Sequence, residues 1–355
     1  MTSLGTLVLA ICCVALLALD VRRLPGPRAV PLPDRWHRTI TPASGGIALF
    51  GAFVLALQPA LFSGAVGREY VPLLVGAGAA FALGFWDDTA SIGVQKKFAG
   101  QVAIALGAAA AGVRPDWLPL WAGIAVACVI LVASMNSFNL LDNMDGLAAG
   151  TAAIAALGLA LVAGLVPGSG SSVVAASLAG ACIGFLPFNY RLRRPAALFM
   201  GDSGSHMLGF ALGGLALLAS PGGAGGAAAA VAAPLLILAV PVLDTGLVML
   251  VRFSEGRSVW QGGRDHSSHR LVYSGMGERR AVAVLLGIAV NCTATAIALV
   301  ILQDVLLIAV AVGATLAALV AFASQLVVIN EQPGQMVELE PAVFAHVETH
   351  DAQVG

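Results

Sequence analysis

Long apolar runs dominate the chain, separated by short polar stretches. Candidate spans fall at 4–19, 45–62, 70–85, 99–113, 118–134, 151–166, 173–188, 206–219, 227–250, 281–302 and 305–328. A helix needs about 20 mostly apolar residues to cross the bilayer core. The pattern therefore predicts an all-α integral membrane protein, a polytopic bundle of about eleven transmembrane helices. Several spans are short and are expected to extend into their polar flanks. The run 206–219 is Gly-rich, and Pro234 and Pro241 are expected to kink the ninth span, because proline removes a backbone donor inside a helix.

Composition agrees with this reading. Of 355 residues, 59% are hydrophobic and 10% charged, against about 25% charged in soluble domains. A water-facing surface cannot be built from so few charges. The net charge of −1 says little about partners; the placement of the charges says more. Sixteen of the 18 Lys and Arg fall in one alternate set of loops, around residues 22–38, 96–97, 191–194 and 252–280, and only Arg68 and Arg114 fall in the other. The positive-inside rule puts the first set in the cytoplasm, the N-terminus outside and the C-terminus inside. The first run has no basic residue before it and several after it, so a retained span is expected rather than a cleaved signal. Residues 1–328 read as one transmembrane catalytic domain. Residues 329–355 carry five acids and no Lys or Arg, and read as a disordered acidic cytoplasmic tail. The five cysteines lie in apolar runs without metal-ligand spacing and read as packing residues.

The loops on the expected cytoplasmic side also hold the unusual polar residues. "NSFNLLDNMDG", 136–146, sets Asn136, Asn139, Asp142 and Asp145 three residues apart between two uncharged runs. If helical, that spacing lines one face with amides and carboxylates; if looped, the residues still crowd one volume. Asp87 and Asp88 follow a span directly, and adjacent carboxylates at a membrane boundary call for a cation nearby. Mg²⁺ suits one or two carboxylates plus phosphate oxygens; a solvated loop edge is the alternative. Lys96 and Lys97 read as membrane anchors or as phosphate ligands. Asp202, in Gly-Asp-Ser-Gly-Ser, opens a span, where a carboxylate can bind metal beside N–H groups that meet an anion, or simply cap the helix. Thr41-Pro42 with Gly45-Gly46 reads as a helix start whose glycines could bring N–H groups to a phosphate. In "GGRDHSSHRL", 262–271, His266 and His269 with Arg264 and Arg270 fit a phosphate-gripping cluster better than zinc. Asp244, inside the ninth span, should face the bundle interior and a partner, with structural and site-supporting roles both open.

In this order the motifs resemble the polyprenyl-phosphate N-acetylhexosamine-1-phosphate transferase superfamily. Its Pro-x-x-Gly-Gly loop is matched by 42–46. Its Asp-Asp pair with Lys-Phe and Gln is matched by Asp87, Asp88, Lys97, Phe98 and Gln101. Its Asn-x-x-Asn-x-x-Asp-x-x-Asp-Gly run is matched by 136–146. Its Phe-Asn and Pro-Ala-x-x-Phe-Met-Gly-Asp-x-Gly-Ser motif is matched by Phe188, Asn189 and 195–205. The resemblance implies transfer of N-acetylhexosamine-1-phosphate from a UDP-sugar to polyprenyl phosphate with release of UMP, at the inner membrane, facing the cytoplasm. It implies Mg²⁺, with Mn²⁺ an admissible substitute, held by Asp202 and Asn139. It places Asp87 by the lipid phosphate with Asp88 beside it, and Lys97 on phosphate. Phe199 and Asp145 would meet the uracil end, with Asn136, Asp142 and Asn189 completing the substrate contacts. His266, His269 and Arg270 would hold the diphosphate or sugar side. The implied partners are the UDP-sugar, the lipid carrier and the bilayer; a homodimer is compatible with this, and nucleic acid is not expected. The N-acetylglucosamine branch carries a His-x-His-His-like cluster in the last of these loops. Here a serine stands where a middle histidine would, and the run of histidines typical of the muramoyl-pentapeptide branch is missing. The chain reads closer to the N-acetylglucosamine branch, with phospho-N-acetylmuramoyl-pentapeptide transfer as the nearest rival. An ion-coupled transporter is the rival of another class. It would place its acids near the midplane; here Asp87, Asp88, Asp142, Asp145 and Asp202 all fall at one boundary.

Overall fold

The structure is a computed structural model. It describes residues 2–329 apart from 24–25, 32–36, 38, 167, 192, 219–225, 261 and 303, with the side chains of 226–230 and 305 also outside the description. The expected acidic tail from residue 330 onward, Arg35 and Arg38 lie outside the described residues. The helices are α1 (Ser3–Val21), α2 (Gly45–Phe62), α3 (Val71–Ala90), α4 (Val94–Ala110), α5 (Leu120–Leu141), α6 (Leu147–Gly164), α7 (Gly170–Asn189), α8 (Gly201–Leu218), α9 (Gly226–Ile237), α10 (Ala239–Ser254), α11 (Ser267–Tyr273), α12 (Glu278–Leu302) and α13 (Val305–Val327). Two short strands, β1 (Arg28–Ala29) and β2 (Thr41–Pro42), pair antiparallel, Arg28 with Pro42 and Ala29 with Thr41.

Each of the eleven apolar segments coincides with a helix, the ninth with the pair α9 and α10. Among the described residues eight helices are long and apolar enough to cross a membrane, or nine with that bent pair counted as one span. The other two segments are α4, of 17 residues, and α8, whose first turns carry Asp202 and His206. The pair α9 and α10 bends by 70° at Leu238. Pro241 has no N–H for the carbonyl of Ile237, so the ladder breaks where the sequence leads one to expect it.

Position in the bundle follows from where each helix is apolar. On α1 the buried residues Thr6, Ala10, Val14 and Ala18 recur every fourth residue and form one stripe against α7. Leu4 and Leu16 point outward at 71% and 67% exposure, which suits a lipid-facing side. By contrast α8 is buried without a break from Ser203 to Leu217, between α3 and α5. A helix apolar on all sides belongs inside. With no water to expel between apolar helices in a bilayer, small residues supply close contact. At Gly209 an added Cβ would run into the carbonyl of Ser134 on α5. The site sits at one end of this central helix.

Candidate active site

A cleft of about 1500 Å³ opens at the α8 N-terminal end. Three helices give it one face each: Val94, Lys97, Phe98, Gln101 and Val102 of α4; Val129, Val132, Ala133, Asn136 and Leu140 of α5; Val242, Thr245, Gly246 and Met249 of α10. Each set has the i, i+3, i+4 spacing of a single helix stripe. The connections α1–α2, α3–α4, α5–α6, α7–α8 and α10–α11 all contribute to its lining. Three of these connections, α1–α2, α7–α8 and α10–α11, are arginine-rich, and Lys96 and Lys97 lie at the start of α4, just after a fourth.

At the floor Asp87, Lys97, Asn139 and Asp202 meet. The Lys97 ammonium pairs with Asp87 at 2.9 Å and with Asp202. Asn139 Nδ2 donates to Asp202 Oδ1 at 2.7 Å and to Ser205 Oγ at 3.1 Å. Asp88, adjacent to Asp87, turns the other way. Its carboxylate accepts the backbone N–H of Asp202 at 2.8 Å and of Ser203 at 3.0 Å. It thus caps the first turn of α8 from another helix, satisfying donors that have no partner inside the helix. The junction demands glycine: Gly201 has φ of +69°, and a Cβ there would sit 2.6 Å from Ala43 O and 2.7 Å from Asp88 Oδ2.

Behind Asp202 the amides of Asn136 and Gln101 form a chain that ends on His206, the one member the sequence reading did not single out. Asn136 Nδ2 donates to Gln101 Oε1 at 2.7 Å, Gln101 Nε2 meets His206 Nε2 at 2.7 Å, and His206 Nδ1 meets Asp202 O at 2.8 Å. Since the amide nitrogen is a donor, His206 accepts at Nε2 and donates from Nδ1. The signal in the sequence was His206 four residues after Asp202 on one helix face.

The 136–146 run is helical only through Leu141, and Asp142 is the C-cap. Asp142 lines the cleft; burial, with the charges of Asp202, Asp145 and Asp88 adding to it, pushes its carboxyl up to about 8. Asp145 also lines the cleft, but its carboxylate accepts the N–H of Ala196 at 2.9 Å. Asn189 fastens two segments, accepting from Gly146 N at 2.9 Å and donating to Leu198 O at 3.1 Å. Phe199 lies edge-on to His37, with ring centroids 5.2 Å apart.

His266 and His269 both line the cleft, with rings 5.3 Å apart and near perpendicular. Burial, with His266 beside it, lowers the His269 imidazole to about 3. Arg270 departs from the expectation that it holds substrate. It lines no part of the cleft; its Nη1 donates to the carbonyls of Leu326, Val327 and Ile329, at 2.9, 3.0 and 2.6 Å, capping the C-terminus of α13. The N–H groups expected to meet anions are also taken. Gly45 N donates to Phe199 O and Gly46 N to Met200 O, at 2.8 and 2.9 Å, and those of Asp202 and Ser203 go to Asp88. These donors sit at helix starts, where the carbonyls of Phe199 and Met200 and the Asp88 carboxylate satisfy them. Among the described residues no group of three or more His, Cys, Asp or Glu has metal-holding geometry. The floor nevertheless carries Asp87 and Asp202 against one lysine, with the Asp202 carboxylate and the Asn139 amide in direct contact. That donor set and charge excess fit a hard divalent cation that brings phosphate oxygens with it.

Bundle and cleft together define a polytopic α-helical membrane protein with an acidic, amide-lined site at one end of its core. Residues 70–220 match the model of glycosyl transferase family 4. The chain is 34% identical over 295 residues, 73% of this chain and 72% of the relative, to the decaprenyl-phosphate N-acetylglucosaminephosphotransferase of Mycobacterium tuberculosis strain H37Rv. It is 28% identical over 270 residues, 72% of each, to the probable undecaprenyl-phosphate N-acetylglucosaminyl 1-phosphate transferase of Bacillus subtilis. The phospho-N-acetylmuramoyl-pentapeptide-transferase of Desulforudis audaxviator matches over a shorter stretch, 34% over 215 residues, 51% of this chain and 64% of that one. The chain belongs to glycosyl transferase family 4, with polyprenyl-phosphate N-acetylglucosamine-phosphotransferases among its relatives.

Proposed function

We propose that the protein transfers N-acetylhexosamine-1-phosphate, with N-acetylglucosamine as the sugar, from a UDP-sugar to a polyprenyl phosphate and releases UMP. The observation that carries this reading is the convergence of Asp87, Lys97, Asn139 and Asp202 at the floor of a cleft whose lining continues onto apolar faces of α4, α5 and α10. One end suits phosphates and the other an isoprenoid tail. Phe98 of α4 and Trp260 of the α10–α11 connection meet edge to face with centroids 5.5 Å apart, bridging two of the groove's walls.

The chemistry needs little proton movement. A lipid phosphate dianion attacks the sugar-bearing phosphorus, the bridging P–O bond breaks, and UMP leaves as a dianion. The charges match before and after, so the barrier lies in bringing anions together rather than in removing a proton. Asp87 therefore has the role of orienting the acceptor and Lys97. Lys97 supplies positive charge to phosphate oxygens. Asp202 and Asn139 would hold Mg²⁺, which when bound supplies charge neutralisation to the diphosphate. We read eleven crossings with the N-terminus outside, an arrangement that would turn the cleft to the cytoplasmic face. This is supported by the basic residues, which gather on the same connections that line the cleft.

The test is UMP release by purified protein given polyprenyl phosphate, Mg²⁺ and each of several UDP-sugars, with EDTA as control. UDP-N-acetylglucosamine should support turnover, chelation should stop it and added Mg²⁺ should restore it. Turnover only with the UDP-muramoyl-pentapeptide would move the chain to that branch. No UMP with any pair of substrates would sink the enzymatic reading.

A further inference from the structure

Asp244 lies within α10 with no exposed surface, and an acid in that position demands partners. It has three. Its Oδ1 accepts the backbone N–H of Ser267 at 2.7 Å and the Ser267 hydroxyl at 2.6 Å, and its Oδ2 meets His266 Nδ1 at 2.8 Å. An ionised carboxylate only accepts, so His266 carries its hydrogen on Nδ1. The other ring nitrogen, Nε2, makes no hydrogen bond among the described residues, although His266 is 5% exposed and lines the cleft. The ring cannot turn freely: His269 stands against it nearly at right angles. The Ser267 bonds fix the start of α11, and with it the backbone that presents His266.

We propose that Asp244 is a positioning residue of the transfer reaction: it holds His266 in the Nδ1–H tautomer with Nε2 presented to the substrate diphosphate. The inference rests on the transferase reading of the cleft. The substrate-bound form in this proposal is the imidazolium, its second proton drawn from solvent: it donates from Nδ1 to Asp244 and from Nε2 to a phosphate oxygen, with the carboxylate beneath it as counter-charge. His266 then gives a hydrogen bond to the diphosphate as the bridging P–O bond breaks. It keeps its proton, because the departing UMP needs none for charge balance. Without the carboxylate, the ring is free to place its hydrogen on Nε2 in the empty site and has no counter-charge in the occupied one. The design is a buried acid acting through a histidine on a group that the acid never touches.

Two measurements test it. The first is steady-state UMP release by wild type, Asp244→Asn, His266→Gln, the double variant and Ser267→Ala. Asp244→Asn should lower kcat/KM for the UDP-sugar about 30-fold or more, with the KM for polyprenyl phosphate within about two-fold of wild type. The double variant should be no slower than His266→Gln, because asparagine keeps an Oδ1 acceptor for Ser267 and the effect that remains runs through the ring. Ser267→Ala, which keeps the His266 bond, should lose little. Losses that multiply in the double variant, or an Asp244→Asn rate equal to wild type, would overturn the proposal. The second measurement is histidine-selective ¹⁵N NMR of the detergent-solubilised protein, with His266 assigned by loss of its signal in His266→Gln. Wild type should show Nδ1–H with Nε2 bare, and Asp244→Asn should lose that preference. This readout needs neither turnover nor substrate. An Nε2–H ring in wild type would refute the inference even in an active enzyme. The expected tautomer in a protein that releases no UMP would refute the transferase reading and the assigned role together, leaving only the pairing.

Discussion

The two walls of the cleft treat their acids in opposite ways. On the α10–α11 wall Asp244 is fully buried and receives three hydrogen bonds from the protein itself. On the α3–α8 wall Asp87 and Asp202 share one lysine and stay partly open to the cleft. The first arrangement is complete without a ligand. The second is short of positive charge and is completed by what binds. A saturated acid builds the site, while an undersatisfied one works in it. Asp88 repeats the lesson within a single dipeptide, since it spends its oxygens on α8 while its neighbour faces the cleft.

That contrast can be broken in graded steps. Asp202→Ala removes the most heavily shared carboxylate and should cut UMP release by about 10³-fold or more, with the protein still inserted and monodisperse in detergent. Near-normal turnover would remove Asp202 from the working set. Asp87→Asn should slow kcat by about 10²-fold while UDP-sugar binding, measured calorimetrically, stays close to wild type. Full rate with lost nucleotide affinity would reverse the assignment. Asp88→Ala strips a helix cap and should cost about 1–2 kcal/mol of stability, read as a lower thermal midpoint that Asp87→Ala does not share. Arg270→Ala should lower the midpoint by the equivalent of about 1 kcal/mol and leave the KM for UDP-sugar unchanged, since its guanidinium meets only backbone carbonyls. The smallest effect concerns Asp142. The folded protein keeps this proton up to about pH 8, whereas the ordinary value for an aspartate is 3.8. Folding therefore takes up a proton between those limits, and stability falls as pH rises through them. Asp142→Asn should gain about 2 °C over wild type at pH 8 and less at pH 5. An advantage that grows towards acid would show the opposite linkage.

Much of this was legible in the sequence, for a physical reason. A bilayer allows few backbone solutions, so apolar length located the helical segments, eight or nine of which are long and apolar enough to cross among the described residues, and the proline positions located the bend at Leu238. Polar residues are costly beside such segments, so each one that recurs there points to the cleft, as Asp87, Asn139 and Asp202 do. Sequence spacing does not reveal which way a boundary side chain turns. Asp87 and Asp88 read alike until α8 is in place, and Arg270 reads as a phosphate ligand until the end of α13 is found beside it. The Phe98–Trp260 contact joins positions 162 residues apart and left no local signal. The seven-residue α11 was missed because it is held by the Asp244 and Asn143 side chains rather than by its own periodicity.

The cap that Asp88 places on α8 has a mechanical result. It locks the end of α3 to the start of α8, so Asp87 and Asp202 form one stiff jaw whose spacing cannot drift with solvent or cargo. Whatever yielding a bulky lipid-linked product requires on departure would then come from the opposite jaw, where the bent α9–α10 pair carries Asp244 and the seven-residue α11 carries the histidines at its start.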